Sequence, residues 1–260
     1  MEISLAGRVA LVTGGSRGLG FAAAAEFAAS GADIAILARR PDVLAEAKEE
    51  LARTAEGRVV AFPCDVSRAA DIARAHEAVM AEFGRVDILL NNAGTARHGA
   101  FEEITDAIWQ EDLDLKLFAA IRFTRLVWPG MKKRRWGRVI NVLNTGAKAP
   151  AAGGAPTAVS RAAGMALTKI LAGEGAAHNV LANAILIGLI VSEQWERRHA
   201  NEGSNTSFAE FVARMGESVP LKRMGRAEEF ASLACFLASD AASYITGTAI
   251  NLDGGRSPVA

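Results

Sequence analysis

The sequence is short of residues that carry chemistry on their own. It has two cysteines, Cys64 and Cys235, far apart and in no CxxC pair. That spacing excludes a disulfide framework and a thiolate metal site, and both are expected to be small core residues in a reducing compartment. Its four histidines show no ligand spacing, so no metal is expected. It has one tyrosine, Tyr244, whose place just before the last apolar run points to a structural role. Neither sign of charge is in excess, with Lys plus Arg and Asp plus Glu at 29 each, so no nucleic acid or anionic membrane is implied as a partner. The one basic run, Lys132-Lys133-Arg134-Arg135, ends an apolar helical pattern, where cations complement a helix dipole. The longest apolar run, Val180 to Val191, is broken by Asn183 and Gly188 and is too short to span a bilayer. The opening MEISLAGRVALVTGG lacks a basic segment followed by an apolar signal region. A cytoplasmic protein is therefore expected.

What the sequence does have is apolar bulk. Half of its 260 residues are hydrophobic, enough for one large domain with a sizeable core. Short apolar runs at Val9–Val12, Ile34–Leu37, Val59–Phe62, Val86–Leu90, Val139–Val142, Leu181–Leu186 and Ala249–Leu252 read as strands buried on both faces. Alanine-rich segments of crossover-helix length separate them. The spacing predicts an α/β fold: a doubly wound parallel sheet of about seven strands, helices on both faces, in one domain spanning residues 1–260. The stretch Trp195–Pro220, within a substrate segment near residues 191–220, is more polar and less regular. Its NEGSNTS (Asn201–Ser207) reads as a loop or lid.

After the first strand comes Thr13-Gly-Gly-Ser-Arg-Gly-Leu-Gly20. Glycines between a strand and a helix let the backbone turn close to a pyrophosphate, which the next helix meets with its N-terminal N–H groups. The spacing TGxxxGxG resembles the short-chain dehydrogenase/reductase family, of the 3-oxoacyl-carrier-protein reductase type. Further motifs carry the resemblance: Asp65-Val66, Asn91-Asn92-Ala93-Gly94, Asn183-Ala184-Ile185 before Gly188, and Ser243 to Gly247 through Asp253-Gly-Gly255. The resemblance implies a nicotinamide cofactor in a Rossmann fold. Its holders would be Gly14, Ser16, Arg17, Gly18, Leu19 and Gly20, with Asp65 and Val66 at adenine. Asn92, Ala93, Gly94, Arg161, Gly188, Ile190 and Ser192 would lie toward the nicotinamide. It also implies a small-molecule substrate and a homo-oligomer, most often a tetramer. Leu113, Leu117, Ile121 and Leu126 supply spare apolar surface for such an interface.

The second predicted strand runs into Ala38-Arg39-Arg40. A carboxylate for the ribose 2′-hydroxyl of NAD is missing there. Arg39 and Arg17 would instead clamp a 2′-phosphate, which favours NADP(H) over NAD(H). The plainer alternative leaves both as solvated surface arginines.

The family's proton chemistry uses a tyrosine, a lysine, a serine and an asparagine. By motif those places hold Thr157, Arg161, Asn144 and Lys116 here. Thr145 adjoins the serine place. A threonine hydroxyl is a far weaker acid than a phenol, while arginine keeps its charge and still binds ribose. Lys116, desolvated beside Arg161, would have a lowered pKa and serve as a substitute acid. Also open are a role in binding a substrate carboxylate and an amine reaching solvent. Asn144 would donate to a carbonyl or satisfy its loop. His98 follows the NNAG turn and is a lesser candidate for the cleft, and Trp195 either roofs a pocket or packs. Three functions remain in view: an NADP(H)-dependent oxidoreductase with a rebuilt proton donor, an NADP(H)-binding protein without turnover, and non-redox elimination or isomerisation in the same pocket.

Overall fold

The computed structural model describes residues 3–202 and 206–260. The chain opens with Val9–Thr13 (β1), Gly18–Ala29 (α1), Asp33–Ala38 (β2), Pro41–Ala52 (α2), Val59–Pro63 (β3), Ala69–Phe83 (α3) and Ile88–Asn91 (β4). Asp106–Leu113 (α4) then leads through a π-helical turn, Asp114–Phe118, into Ala119–Arg134 (α5). Gly137–Asn144 (β5), Thr157–Gly175 (α6) and Val180–Ile187 (β6) follow. Glu193–Asn201 (α7), Phe208–Gly216 (α8), Ala227–Ala238 (α9) and Ala249–Leu252 (β7) close the chain.

The seven strands form one sheet in the order β3-β2-β1-β4-β5-β6-β7, with every pairing parallel. Side chains alternate along each strand. Ala10 and Val12 of β1 face one way, packing with Phe27, Phe230 and Leu237 of α1 and α9. Leu11 faces the other, packing with Ile72, Phe123 and Leu171 of α3, α5 and α6. The expected doubly wound sheet is therefore present. Its order reverses between β1 and β4, where open α/β sheets leave a crevice beyond the strand ends.

All seven expected strands form. The fourth begins at Ile88 rather than Val86. Cys64 and Cys235 are both free and buried, and burial pushes the Cys64 thiol up to about 12. Lys132, Lys133 and Arg134 occupy the last turn of α5, as the dipole argument expects. Two expectations need correction. Trp195–Pro220 is not irregular, since it lies largely in α7 and α8. The overlooked signals were a capping box, Ser207 with Glu210, and an apolar face at Phe208, Phe211, Val212 and Met215. Of NEGSNTS, Gly203, Ser204 and Asn205 lie outside the described residues. Tyr244 is not packed structurally, because its side chain is fully exposed.

Candidate active site

The crevice is built on two turns fastened together. Thr13 Oγ1 accepts from the Asn92 and Ala93 N–H groups at 2.9 and 3.0 Å. The Asn92 amide donates back to the Thr13 and Gly14 carbonyls at 3.0 and 3.2 Å. Gly14 and Gly18 take positive φ of 66° and 56°, a conformation that side chains disfavour. A Cβ at Gly20 would run into the Gly14 carbonyl, so α1 starts tight against the turn with its N–H groups facing the crevice. Such a cradle fits a pyrophosphate. Ser192 sits beside it, its Cβ 3.8 Å from where a Gly18 Cβ would lie.

The remaining cofactor candidates line the same edge. Leu19 packs into the core from the glycine turn. Val66 is buried, and Asp65 caps its own turn through the Ser67 N–H at 3.0 Å and the Ser67 hydroxyl at 2.7 Å. Gly188 crosses so close to Asp253 that a Cβ would approach its Cβ to 2.6 Å. Ile190 is buried and bridges Gly225. For Ser16 the structure gives only a partly buried position in the glycine turn.

The two arginines of the expected clamp differ from each other. Arg17 does not stand free; it forms an ion pair with Glu193 at the start of α7. Arg40 also approaches Glu193, at 4.0 Å, whereas Arg39 is exposed. Gln194 adds a bond from its amide to the Gly94 carbonyl at 3.3 Å. The first turn of α7 thus closes over both the glycine turn and the 91–94 turn.

Deeper in, Lys116, Thr157 and Arg161 come together, with two partners the sequence reading missed, Asp112 and Ser160. Lys116 lies in the π-helical turn with only 1% of its side chain exposed, which corrects the solvent-reaching alternative. Its Nζ donates to Asp112 Oδ1 and, at 2.7 Å, to Thr157 Oγ1. Ser160 donates to the other Asp112 oxygen at 2.7 Å. Thr157 also accepts the Arg97 N–H at 2.9 Å, and its own proton has Asp112 at 3.4 Å. Arg161 donates to the Val142 carbonyl at 2.7 Å, and a Cβ at Gly94 would come within 2.5 Å of its guanidinium. A cavity of about 10 Å³ touches Lys116, Ser160, Arg161, Asn91 and Asn141, a volume near the lower bound for one water.

Burial lowers the Lys116 ammonium to about 8, with the Asp112 hydrogen bond resisting and the Arg161 charge adding to the fall. Burial also brings Arg161 down to about 10, opposed by Asp112. The expected lowering of Lys116 is therefore present, and its largest cause is desolvation. Asn144 ends β5 with a buried Oδ1 that has no hydrogen-bond partner among the described residues, a cost of about 1–3 kcal/mol for such an acceptor. Thr145 begins the 3₁₀ turn after it. His98 pairs its backbone with Pro156, the residue before Thr157. Trp195 packs against Phe211 with ring centroids 6.3 Å apart.

Comparisons with known proteins agree on the family. A family model described as enoyl-(acyl carrier protein) reductase matches residues 14–257. An acetoacetyl-CoA reductase of Rhizobium meliloti is 34% identical over 252 residues, covering 96% of this chain and 98% of its own. L-sorbose reductase from Gluconobacter frateurii, solved with NADPH and L-sorbose, superposes with a TM-score of 0.95 at 33% identity over the whole of both chains. An NADPH-bound short chain oxidoreductase from Pseudomonas aeruginosa, described as containing an atypical catalytic center, gives 0.92 at 35% identity. It covers 99% of this chain and 100% of its own.

Proposed function

The chain belongs to the short-chain dehydrogenase/reductase family, and we propose that it is an NADP(H)-dependent carbonyl reductase or alcohol dehydrogenase whose proton comes from Lys116. The observation that carries this reading is the buried Lys116 ammonium on the Thr157 hydroxyl at 2.7 Å. The bound cofactor supplies the hydride. The chain's own residues handle the proton. Thr157 accepts from Lys116 and from the Arg97 N–H, which fills both of its acceptor positions and leaves its hydroxyl proton to give. In reduction, that proton passes to the substrate oxygen as Lys116 replaces it, leaving Lys116 neutral. Lowered to about 8, the amine suits a general acid near neutral pH.

Cofactor preference follows the same line. Ala38 brings no carboxylate to the end of β2, and Arg17 and Arg40 both reach one anion, the Glu193 carboxylate. A 2′-phosphate is the kind of anion two guanidinium groups would take in its place. The NADPH complexes among similar structures support this choice.

One observation favours a second reading, an NADP(H)-binding protein without turnover. Thr157 is only 2% exposed, the Arg97 N–H sits on its hydroxyl, and His98 bridges the preceding Pro156. Substrate contact requires that segment to move. NADPH oxidation with a panel of ketones, keto sugars and 3-oxoacyl thioesters separates the two readings. Turnover that disappears in a Lys116→Met variant still binding NADPH supports the enzyme, and binding with no turnover on any member supports the binder.

A further inference from the structure

We propose that Asp112 is a positioning residue whose carboxylate, itself held by Ser160, fixes the Lys116 ammonium on the Thr157 hydroxyl. The inference rests on the reading of Lys116 as proton donor, but it concerns the amine's placement and not the substrate. Asp112 and Lys116 are four residues apart, and such pairs on a regular helix usually lie on a solvated face. Here both are buried. The π-helical turn Asp114–Phe118 begins one residue after the end of α4 and carries Lys116. Such turns insert a residue and re-aim those after it.

The carboxylate is buried, and its hydrogen-bond partners among the described residues all belong to this cluster. Oδ1 takes Lys116 and the longer Thr157 contact, while Oδ2 takes Ser160. Ser160 and Thr157 sit on the first turn of α6, so Asp112 ties α4 to the helix that presents Thr157. The charged groups acting on Lys116 come from three segments: Asp112 from α4, Arg161 from α6, and Arg97 from the segment after β4, itself paired with Glu111 at 2.6 Å. Asp112 is the only one of these whose charge opposes loss of the Lys116 proton. Without it, two cations and burial act together on one amine.

The test uses the full-length protein without cofactor. Lysine is labelled with ¹³C at Cε, the Lys116 signal is identified by its loss in a Lys116→Arg variant, and its titration is followed by NMR. In the unaltered chain the midpoint should lie near 8. Asp112→Asn should move it down by about one pH unit or more, and Asp112→Glu should recover part of the shift. Ser160→Ala, which leaves the buried pair intact and guards against a misfolded Asp112 variant, should move it in the same direction by less. An unchanged midpoint in folded Asp112→Asn, or in Ser160→Ala should the former not fold, overturns the inference. Because no turnover is read, the result stands apart from whether Lys116 is the acid: a shifted midpoint beside an inert Lys116→Met change in activity would sink the proposed function and leave Asp112's role intact.

Discussion

Lys116 Nζ lies 2.7 Å from Thr157 Oγ1, joining the π-helical turn to the first residue of α6 beneath the crevice. Two side chains that a sequence comparison treats as unrelated replacements form one hydrogen-bonded unit, with Asp112 completing it.

The unit should show strong coupling in stability. Removing one member of a buried ion pair strands the other at about 3–5 kcal/mol, whereas replacing both with apolar groups is nearly neutral. Lys116→Met alone should therefore destabilise the chain by that order. Asp112→Leu with Lys116→Met should recover most of it in chemical denaturation. Additive losses would show that the pair is not coupled.

NADPH should bind more tightly than NADH, and Arg17→Ala should remove most of the difference. Glu193 holds Arg17 in this structure, so a phosphate must displace a carboxylate. Glu193→Gln should strengthen NADPH binding while leaving NADH nearly unchanged. An exposed pair is worth about 0–1 kcal/mol, so the gain is at most about fivefold. Calorimetry on both cofactors reads each effect, and equal affinities in the unaltered chain would contradict the cofactor assignment.

A homo-oligomer is expected in solution. Phe118 and Leu126 lie about two-fifths exposed near and on α5, and Val159 and Ile170 more than half exposed on α6. Apolar area of this kind on neighbouring helices suits a two-fold interface. Light scattering at micromolar concentration should give a multiple of 27.3 kDa. Leu126→Glu with Ile170→Glu should lower it, and a monomer mass in the unaltered chain would contradict the expectation.

The sheet was legible in the sequence because its inner strands are buried on both faces and so read as short, mainly apolar runs, while the partly buried edge strands β3 and β7 keep the same apolar character. The glycine turn was legible because few other residues take its backbone angles. The helices α7 and α8 were obscured by polar residues, and the capping box at Ser207 was the signal to follow. Asp112 was not legible at all. Its spacing to Lys116 is that of an ordinary surface pair, and no feature of the local sequence marks the π-helical turn that goes with their burial. Likewise, Arg17 invites a phosphate in the sequence, but its present partner, Glu193, opens α7, a helix masked by its polar composition.

Lys116 as the proton donor in carbonyl reduction is tested most directly by the pH dependence of NADPH oxidation. Reduction needs the ammonium form, and burial lowers that group to about 8. With a substrate found in the carbonyl panel, kcat should be level below that pH and fall tenfold per unit above it. Lys116→Met should lose about 10²–10⁴-fold in kcat, the usual worth of a general acid, keep its NADPH affinity and lose the break near 8. Robust reduction by Lys116→Met, with the same break as the unaltered protein, would show that another group supplies the proton.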